Sequence, residues 1–135
     1  MAVEQVIKLV LVDENQIFLE GLSYIIGMNK QLKVVGIANS GKEALKKIDE
    51  TIPDVAIISF VLPDFNGIRL AREIFQKRKD IQIIILSVYN DPEFLKAARK
   101  TGVFAYLYKN ESIDDLNQTI LKAYQALKKD MVPKV

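Results

Sequence analysis

The stretch VIKLVLVDEN, residues 6–15, decides the fold. Residues 6–12 are aliphatic except for Lys8, which is typical of a strand covered on both faces of a parallel sheet. The strand is followed at once by two acids, Asp13 and Glu14. Parallel α/β sheets place their functional sites at the carboxyl ends of the strands. The stretch therefore predicts a central strand with a polar site at its end.

The same alternation of apolar and amphipathic stretches continues outward along the chain. Four more strands are predicted, at residues 32–38, 55–58, 81–86 and 103–108, each followed by a helix. Strands that alternate with helices predict a parallel sheet with helices on both faces, because crossover connections are right-handed. Five units are too few for an eight-stranded barrel. The expected architecture is a doubly wound α/β sheet, (βα)5, of strand order 2-1-3-4-5.

Capping signals fix where several of these helices begin. They are Ser40 with Glu43, Asp91 with Pro92, and Ser112 with Asp115. Side-chain oxygens at these positions accept the free N–H groups of a first helical turn, and proline fits the first helical position.

The composition of the chain excludes several classes of function. The chain has 135 residues, enough for one domain, which we assign to residues 1–130, with 131–135 as a tail or the start of a linker. Its 19 basic and 17 acidic residues leave a charge of only +2, which disfavours autonomous nucleic-acid binding. Without cysteine or histidine, disulfides, thiolate nucleophiles, Cys/His metal sites and histidine acid–base catalysis are excluded. No signal peptide or membrane-spanning run is present, so we expect a cytoplasmic protein without a membrane partner.

Polar residues stand at the ends of four predicted strands. Asp13 and Glu14 follow the first, Ser59 the third, Ser87 the fourth and Lys109 the fifth. Adjacent carboxylates suit a divalent cation with oxygen ligands, such as Mg²⁺. A hydroxyl and an ammonium group suit anionic oxygens, such as those of a phosphoryl group. Any one of these residues is an ordinary strand end, but together they predict a site.

Six segments, in this order and spacing, carry a resemblance to a known family: LVLVDEN (9–15), VVGIANSGKEAL (34–45), PDVAII (53–58), LPDFNGI (62–68), IIILS (83–87) and GVFAYLYK (102–109). The chain resembles response-regulator receiver domains of bacterial two-component signalling, which have the flavodoxin-like, CheY-like fold, over residues 6–124. The segments IFLEGL (17–22) and VVGIA (34–38) look most like receivers that precede a LuxR/NarL-type helix-turn-helix output domain.

The resemblance implies a role for each residue of the predicted site. In the family an acidic pair after the first strand binds Mg²⁺, which matches Asp13 and Glu14, although the second acid is usually aspartate. The family's hydroxyl after the fourth strand, here Ser87, contacts the phosphoryl group. The lysine after the fifth strand, here Lys109, pairs with the phosphoryl oxygens. An aromatic residue in the fifth strand, here Tyr106, swings inward in the active state.

Ser59 is the decisive departure, because the family has its phospho-accepting aspartate there. The alcohol of serine is protonated at neutral pH and is nucleophilic only beside a base, and the chain has no histidine. An aspartyl phosphate cannot form at residue 59. Counting Asp13, Glu14 and Lys109, the pocket carries a formal charge of −1 rather than the usual −2. The binding of Mg²⁺ is therefore expected to be weakened.

Neither nearby acid replaces the missing aspartate. Asp54 lies at the start of the third strand, at the opposite edge of the sheet, and Asp64 lies in the loop beyond Pro63, where it is only a remote candidate. Three interpretations of Ser59 stay open. It is natural and the receiver is degenerate, or it is an engineered replacement, or it is the target of a serine kinase, for which the sequence offers no support.

The expected function is that of an atypical receiver, not an enzyme, that acts by phosphorylation-independent contact with a partner or a second copy. The expected surface is helix 4, strand 5 and helix 5, including Phe104 and Tyr108. A histidine kinase is not an expected partner, and DNA is contacted only through a domain outside this chain. The alternative is the receiver half of a DNA-binding transcriptional regulator whose acceptor aspartate was mutated. A flavin phosphate is excluded by repulsion from Asp13 and Glu14, and no G-x-G-x-x-G motif exists for a dinucleotide.

Overall fold

Five β-strands and five α-helices alternate along the chain in the computed structural model, which describes residues 5–131. The strands are β1 (Ile7–Val12), β2 (Leu32–Ala38), β3 (Val55–Ser59), β4 (Gln82–Ser87) and β5 (Ala105–Tyr108). The helices are α1 (Gln16–Gly27), α2 (Gly41–Thr51), α3 (Gly67–Lys77), α4 (Pro92–Thr101) and α5 (Ile113–Met131). No helix in this range is long and apolar enough to cross a membrane.

The strands form one parallel sheet of order β2-β1-β3-β4-β5, which confirms the predicted fold. Successive side chains of a strand point to opposite faces. In β1, Val10 and Val12 therefore join the core beneath α2, α3 and α4, whereas Leu9 and Leu11 join the core beneath α1 and α5. A central strand buried on both faces explains why residues 6–12 contain almost no polar side chain.

Element boundaries differ from the predicted ones by a residue or two. β3 and β4 each extend to a serine, Ser59 and Ser87, and β5 begins at Ala105 rather than at residue 103. Helix α5 continues to Met131, the first residue of the predicted tail, because nothing in its sequence breaks the helix there. Residues 132–135 lie outside the described residues.

The predicted caps are confirmed. The Ser40 hydroxyl accepts the N–H of Glu43 (3.2 Å) at the start of α2, while the Glu43 carboxylate reaches back one residue beyond the cap, to the N–H of Asn39 (2.8 Å). Asp91 accepts a first-turn N–H of α4, and Ser112 does the same for α5. These bonds fix the helix starts, and with them the loops at the carboxyl edge of the sheet.

Candidate functional site

A cavity of about 260 Å³ opens at the carboxyl edge of the sheet, over the ends of β1, β3 and β4. Its lining includes every polar residue of the predicted site: Asp13, Glu14, Ser59, Ser87 and Lys109. They converge because the carboxyl ends of parallel strands meet at one edge. The structure thus brings the predicted residues together, while their chemical roles stay predictions.

Asp13 is the buried charge of the site, with 2% of its surface exposed. The ammonium group of Lys109 lies 2.6 Å from its Oδ2, and its Oδ1 accepts the N–H of Asn15 (2.9 Å). The same ammonium lies 4.6 Å from the ring centroid of Phe18. A buried carboxylate needs a partner to offset lost hydration, so Lys109 and Asp13 stabilise each other's position. Glu14, in contrast, is exposed.

The residues of the site could hold Mg²⁺, but they supply only a small set of acidic ligands. No group of three or more acidic, histidine or cysteine side chains that could hold a metal occurs among residues 5–131. Asp13 and Glu14 supply two carboxylates beside the Ser59 hydroxyl, and Mg²⁺ is commonly bound by one or two carboxylates with several waters. However, one carboxylate oxygen of Asp13 is already paired with Lys109. Any metal here must compete with that ammonium.

Ser59 is held in place by the start of α3. It is buried (4% exposed), and the next residue, Phe60, accepts the N–H of Gly67 through its carbonyl (2.7 Å). A Cβ atom added at Gly67 would lie 2.5 Å from the Ser59 carbonyl oxygen. The first residue of α3 therefore has to be glycine for the helix to pack against the end of β3.

Gly67→Ala is expected to lower the free energy of unfolding by about 1–3 kcal/mol, because the new methyl group meets backbone that cannot turn aside. Urea denaturation measures the change. Gly27→Ala is the matched control, since a Cβ at Gly27 meets nothing within 4 Å and should leave stability unchanged or slightly raised. Equal stability of the two variants would show that this contact does not position Ser59.

Ser87 and Tyr106 fasten the loop that follows β4. The Ser87 hydroxyl oxygen accepts the N–H of Tyr89 (2.9 Å), and the hydroxyl of Tyr106 donates to the carbonyl of Tyr89 (3.3 Å). Partial burial raises the pKa of the Tyr106 phenol above its ordinary value of 10.0, against a smaller opposing effect of Ser87. Tyr106 is thus neutral at physiological pH and turned toward the loop.

An aromatic cluster lies beside the site, and no sequence pattern predicted it. Phe60 lines the cavity, and its ring stacks on Phe94 of α4 with centroids 4.4 Å apart. The rings of Tyr89 and Tyr106 meet Phe60 edge-on at 6.0 and 6.5 Å. In the sequence Phe60 is simply the apolar residue that follows Ser59, and this adjacency is the only local signal that it borders the site.

The two acids considered as replacements have structural roles elsewhere. The carboxylate of Asp64 accepts the N–H groups of Gly41 and Lys42 (both 2.9 Å), so it caps the start of α2. Asp54 accepts the N–H of Lys8 (2.9 Å), just before β3. Neither carboxylate lines the cavity. That neither acid serves as a phosphoryl acceptor stays a prediction.

The Asp64 cap predicts a pH-dependent contribution to stability. Partial burial acts to raise the pKa of Asp64, but the N–H groups of Gly41, Lys42 and Phe65 outweigh it and hold the pKa below 3.8. The contribution is therefore present above the ordinary pKa and is lost as the pH falls through the lowered one. We expect Asp64→Asn to cost about 1 kcal/mol at neutral pH and almost nothing in strong acid.

Urea denaturation across this pH range measures the difference between native and variant. Asp49→Asn, at an exposed position of α2, is the control and should leave stability unchanged throughout. An Asp64→Asn effect of constant size at every pH would contradict the assignment.

Comparison with known proteins identifies the family. The family model described as "Response regulator receiver domain" matches residues 9–121. The chain is 29% identical over 117 residues to the transcriptional regulatory protein DegU of Brevibacillus brevis, covering 87% of this chain and 50% of that protein. It is 35% identical over 104 residues to the DNA-binding transcriptional activator DevR/DosR of Mycobacterium tuberculosis, covering 77% and 48%.

Solved structures agree with this result. A LuxR-family DNA-binding response regulator from Staphylococcus aureus superposes with a TM-score of 0.84 at 25% identity, over 88% of this chain and 99% of that one. The chain spans about half the length of the curated relatives it matches. The family match extends from β1 into α5 and so includes every strand of the sheet and every residue of the site. The chain belongs to the response regulator receiver domain family of two-component signalling, close to the receivers of LuxR/NarL-type regulators.

Proposed function

We propose that this receiver works without phosphorylation, as a binding module rather than an enzyme. The observation that carries the proposal is Ser59, which stands at the end of β3 in the cavity where the resemblance puts the acceptor aspartate. Its hydroxyl has no histidine to deprotonate it, since the sequence contains none. Of the two acids in the lining, Asp13 is already engaged with Lys109. Aspartyl-phosphate chemistry therefore lacks its nucleophile.

The length of the relatives supports a place for this receiver within a longer regulatory protein. Those named above are transcriptional regulators, and the region that matches this chain makes up only about half of each. We extend the proposal to a cytoplasmic regulatory receiver whose DNA contact belongs to a domain outside residues 1–135. If Ser59 is natural, the whole regulator would work without a kinase. If Ser59 replaced an aspartate, the regulator that carries the aspartate would respond to one.

A single resting conformation follows from the contacts around Tyr106. In ordinary receivers, phosphorylation shifts an equilibrium between inactive and active conformers. Here Tyr106 donates to Tyr89 and packs with Phe60, whose ring also stacks on α4. These contacts need no phosphoryl group. They support a receiver whose binding surface is set by packing and is shifted only by a partner with different affinities for the two states.

The partner surface proposed for this state is the α4–β5–α5 face. Apolar side chains are exposed near it at Val88, Tyr89 and Phe104, and Tyr108 on β5 hydrogen-bonds to Asn90 (2.6 Å) in the loop after β4. β5 is an edge strand of four residues paired on one side only. An edge of this kind needs to be guarded or covered, which suits a protein partner or a second copy.

A weak Mg²⁺ site completes the proposal. Asp13 and Glu14 would hold the ion, and its charge would offset their repulsion. Because Lys109 already compensates Asp13, the ion is dispensable to the resting conformation.

The proposal is tested by amide NMR spectra of the native chain recorded with Mg²⁺, before and after addition of acetyl phosphate. We expect the signals of Ser87, Tyr89 and Tyr106 to stay where they are. Movement of these signals with acetyl phosphate, but not with acetate, would show that the cavity still responds to phosphorylation and would overturn the proposal.

A further inference from the structure

A cavity of about 480 Å³ lies between α3 and α4, and it shares no lining residue with the cavity at Ser59. A second cavity, of about 250 Å³, adjoins it through Phe75, Lys79 and Thr101 and reaches Gln82, the first residue of β4. Together they form one groove, the α3–α4 groove, toward the amino edge of the sheet. Small molecules commonly bind in clefts of roughly 300–1,000 Å³, so the groove is large enough for such a ligand.

Three cationic side chains line the α3–α4 groove, and no acidic side chain among the described residues does. They are Arg72 on α3, Lys79 just after α3 and Lys100 on α4. In the part of the chain that the structure describes, none of the three forms an ion pair. A cleft lined by charges of one sign concentrates ions of the opposite sign. The groove therefore attracts an anion.

The acids that neighbour these cations in the sequence are engaged with other side chains. The carboxylate of Glu73 lies 3.6 Å from the guanidinium of Arg69, and that of Asp80 lies 3.0 Å from the guanidinium of Arg78. Residues 67–104 contain eight basic and four acidic side chains, whereas the rest of the chain contains eleven and thirteen. The small positive charge of the chain is thus concentrated in the region of the groove.

We infer that the α3–α4 groove binds a nucleoside polyphosphate, whose phosphates lie against Arg72, Lys79 and Lys100. A chain of phosphates carries several negative charges within a few ångströms, so it meets three cations at once. Arginine binds phosphate oxygens in pairs, and lysine binds them as a point charge. An extended acidic peptide suits the groove less well, because its successive side chains point to opposite sides.

Phe75 favours a nucleotide over inorganic polyphosphate. Its half-buried side chain packs against the core beneath α3 and also lines both cavities of the groove. Gly102 has no side chain to cover the ring, whose Cε2 lies 3.9 Å from where a Cβ atom would stand. Nucleobases stack on aromatic rings of this kind. The groove thus offers an apolar surface for the base beside the cations for the phosphates.

Nucleotide binding in this groove is independent of the chemistry at Ser59. Because Arg72 belongs to α3 and Lys100 to α4, a bound polyphosphate would connect the two helices and hold α4 in place without phosphorylation. Failure of nucleotide binding would not bear on phosphorylation at the opposite edge of the sheet. Equally, phosphorylation of the native chain would not bear on the groove.

Titration calorimetry with ATP, in a buffer that contains a chelator, tests the inference. The chelator keeps Mg²⁺ from Asp13 and Glu14, and we expect a dissociation constant on the order of 10–100 μM. Lys79→Gln and Lys100→Gln should each weaken binding about fivefold or more, because each removes one of three cations. Lys46→Gln, at an exposed position of α2, is the matched control and should bind ATP like the native chain.

Two further probes, inorganic triphosphate and a hexaglutamate peptide, identify the class of ligand. Both should bind the native chain more weakly than ATP, and Phe75→Leu should weaken only the binding of ATP. A native chain that does not bind ATP, or a Lys100→Gln variant that binds it normally, would overturn the site. Triphosphate bound as tightly as ATP would overturn the role of the nucleoside. Hexaglutamate bound more tightly than ATP would overturn the phosphate ligand and indicate an acidic protein segment instead.

Discussion

Ser59→Asp will accept one phosphoryl group from acetyl phosphate in the presence of Mg²⁺. The substitution puts a carboxylate at the end of β3, in the cavity that already holds Asp13, Glu14, Ser87 and Lys109. An ionised carboxylate needs no general base to attack phosphorus, whereas the serine alcohol does. The product is an acyl phosphate, so hydroxylamine should remove it. Lack of modification would show that the cavity has lost more than its acceptor.

The same variant should bind Mg²⁺ about tenfold or more tightly. A third carboxylate a few ångströms from the ion contributes roughly 1–4 kcal/mol at the edge of a protein, and tenfold corresponds to about 1.4 kcal/mol. Ser59→Asn is the control, because it has nearly the same shape without the charge. Titration calorimetry measures both variants. Equal affinity of the two would contradict the electrostatic account of the weakened site.

Lys109→Met should lower the free energy of unfolding by about 2–4 kcal/mol, measured by urea denaturation with a chelator present. The lysine lies 2.6 Å from a carboxylate that is almost fully buried, and methionine leaves that charge without a partner. The expected loss of stability is smaller than for a fully buried ion pair, because the side chain of Lys109 is 22% exposed and water can reach the Asp13 carboxylate.

A double-mutant cycle separates this pairing from general loss of packing. Lys109→Met combined with Asp13→Asn removes both charges and should recover a large part of the lost stability. Lys96→Met, at an exposed position of α4, should cost little. If the double variant were less stable than Lys109→Met alone, the ion pair would not be what holds these two side chains.

Local signals predicted the sheet and most of the site. The aliphatic residues 6–12 identify a buried strand, and the parallel topology alone requires Asp13, Ser59, Ser87 and Lys109 to meet at one edge. The caps of α2 and α4 are equally local, because the cap and the N–H groups it binds lie within a few residues. For such features, spacing along the chain is enough.

Contacts between distant segments were not predictable in the same way. Asp64 caps α2 from 22 and 23 residues away, and only the folded chain brings its carboxylate to Gly41 and Lys42. Likewise, Phe60 is one more apolar residue in the sequence, and its stacking on Phe94 depends on where α4 lies. Tyr24 of α1 is exposed, and only the structure shows this, because an aromatic residue on an amphipathic helix is otherwise predicted to be buried.

The measurement that tests the central claim most directly is the intact mass of the native chain after incubation with Mg²⁺ and acetyl phosphate, beside Ser59→Asp treated identically. We predict no mass change in the native chain and the gain of one phosphoryl group in the variant. A phosphoryl group on the native chain, at any residue of the cavity, would contradict a receiver that works without phosphorylation.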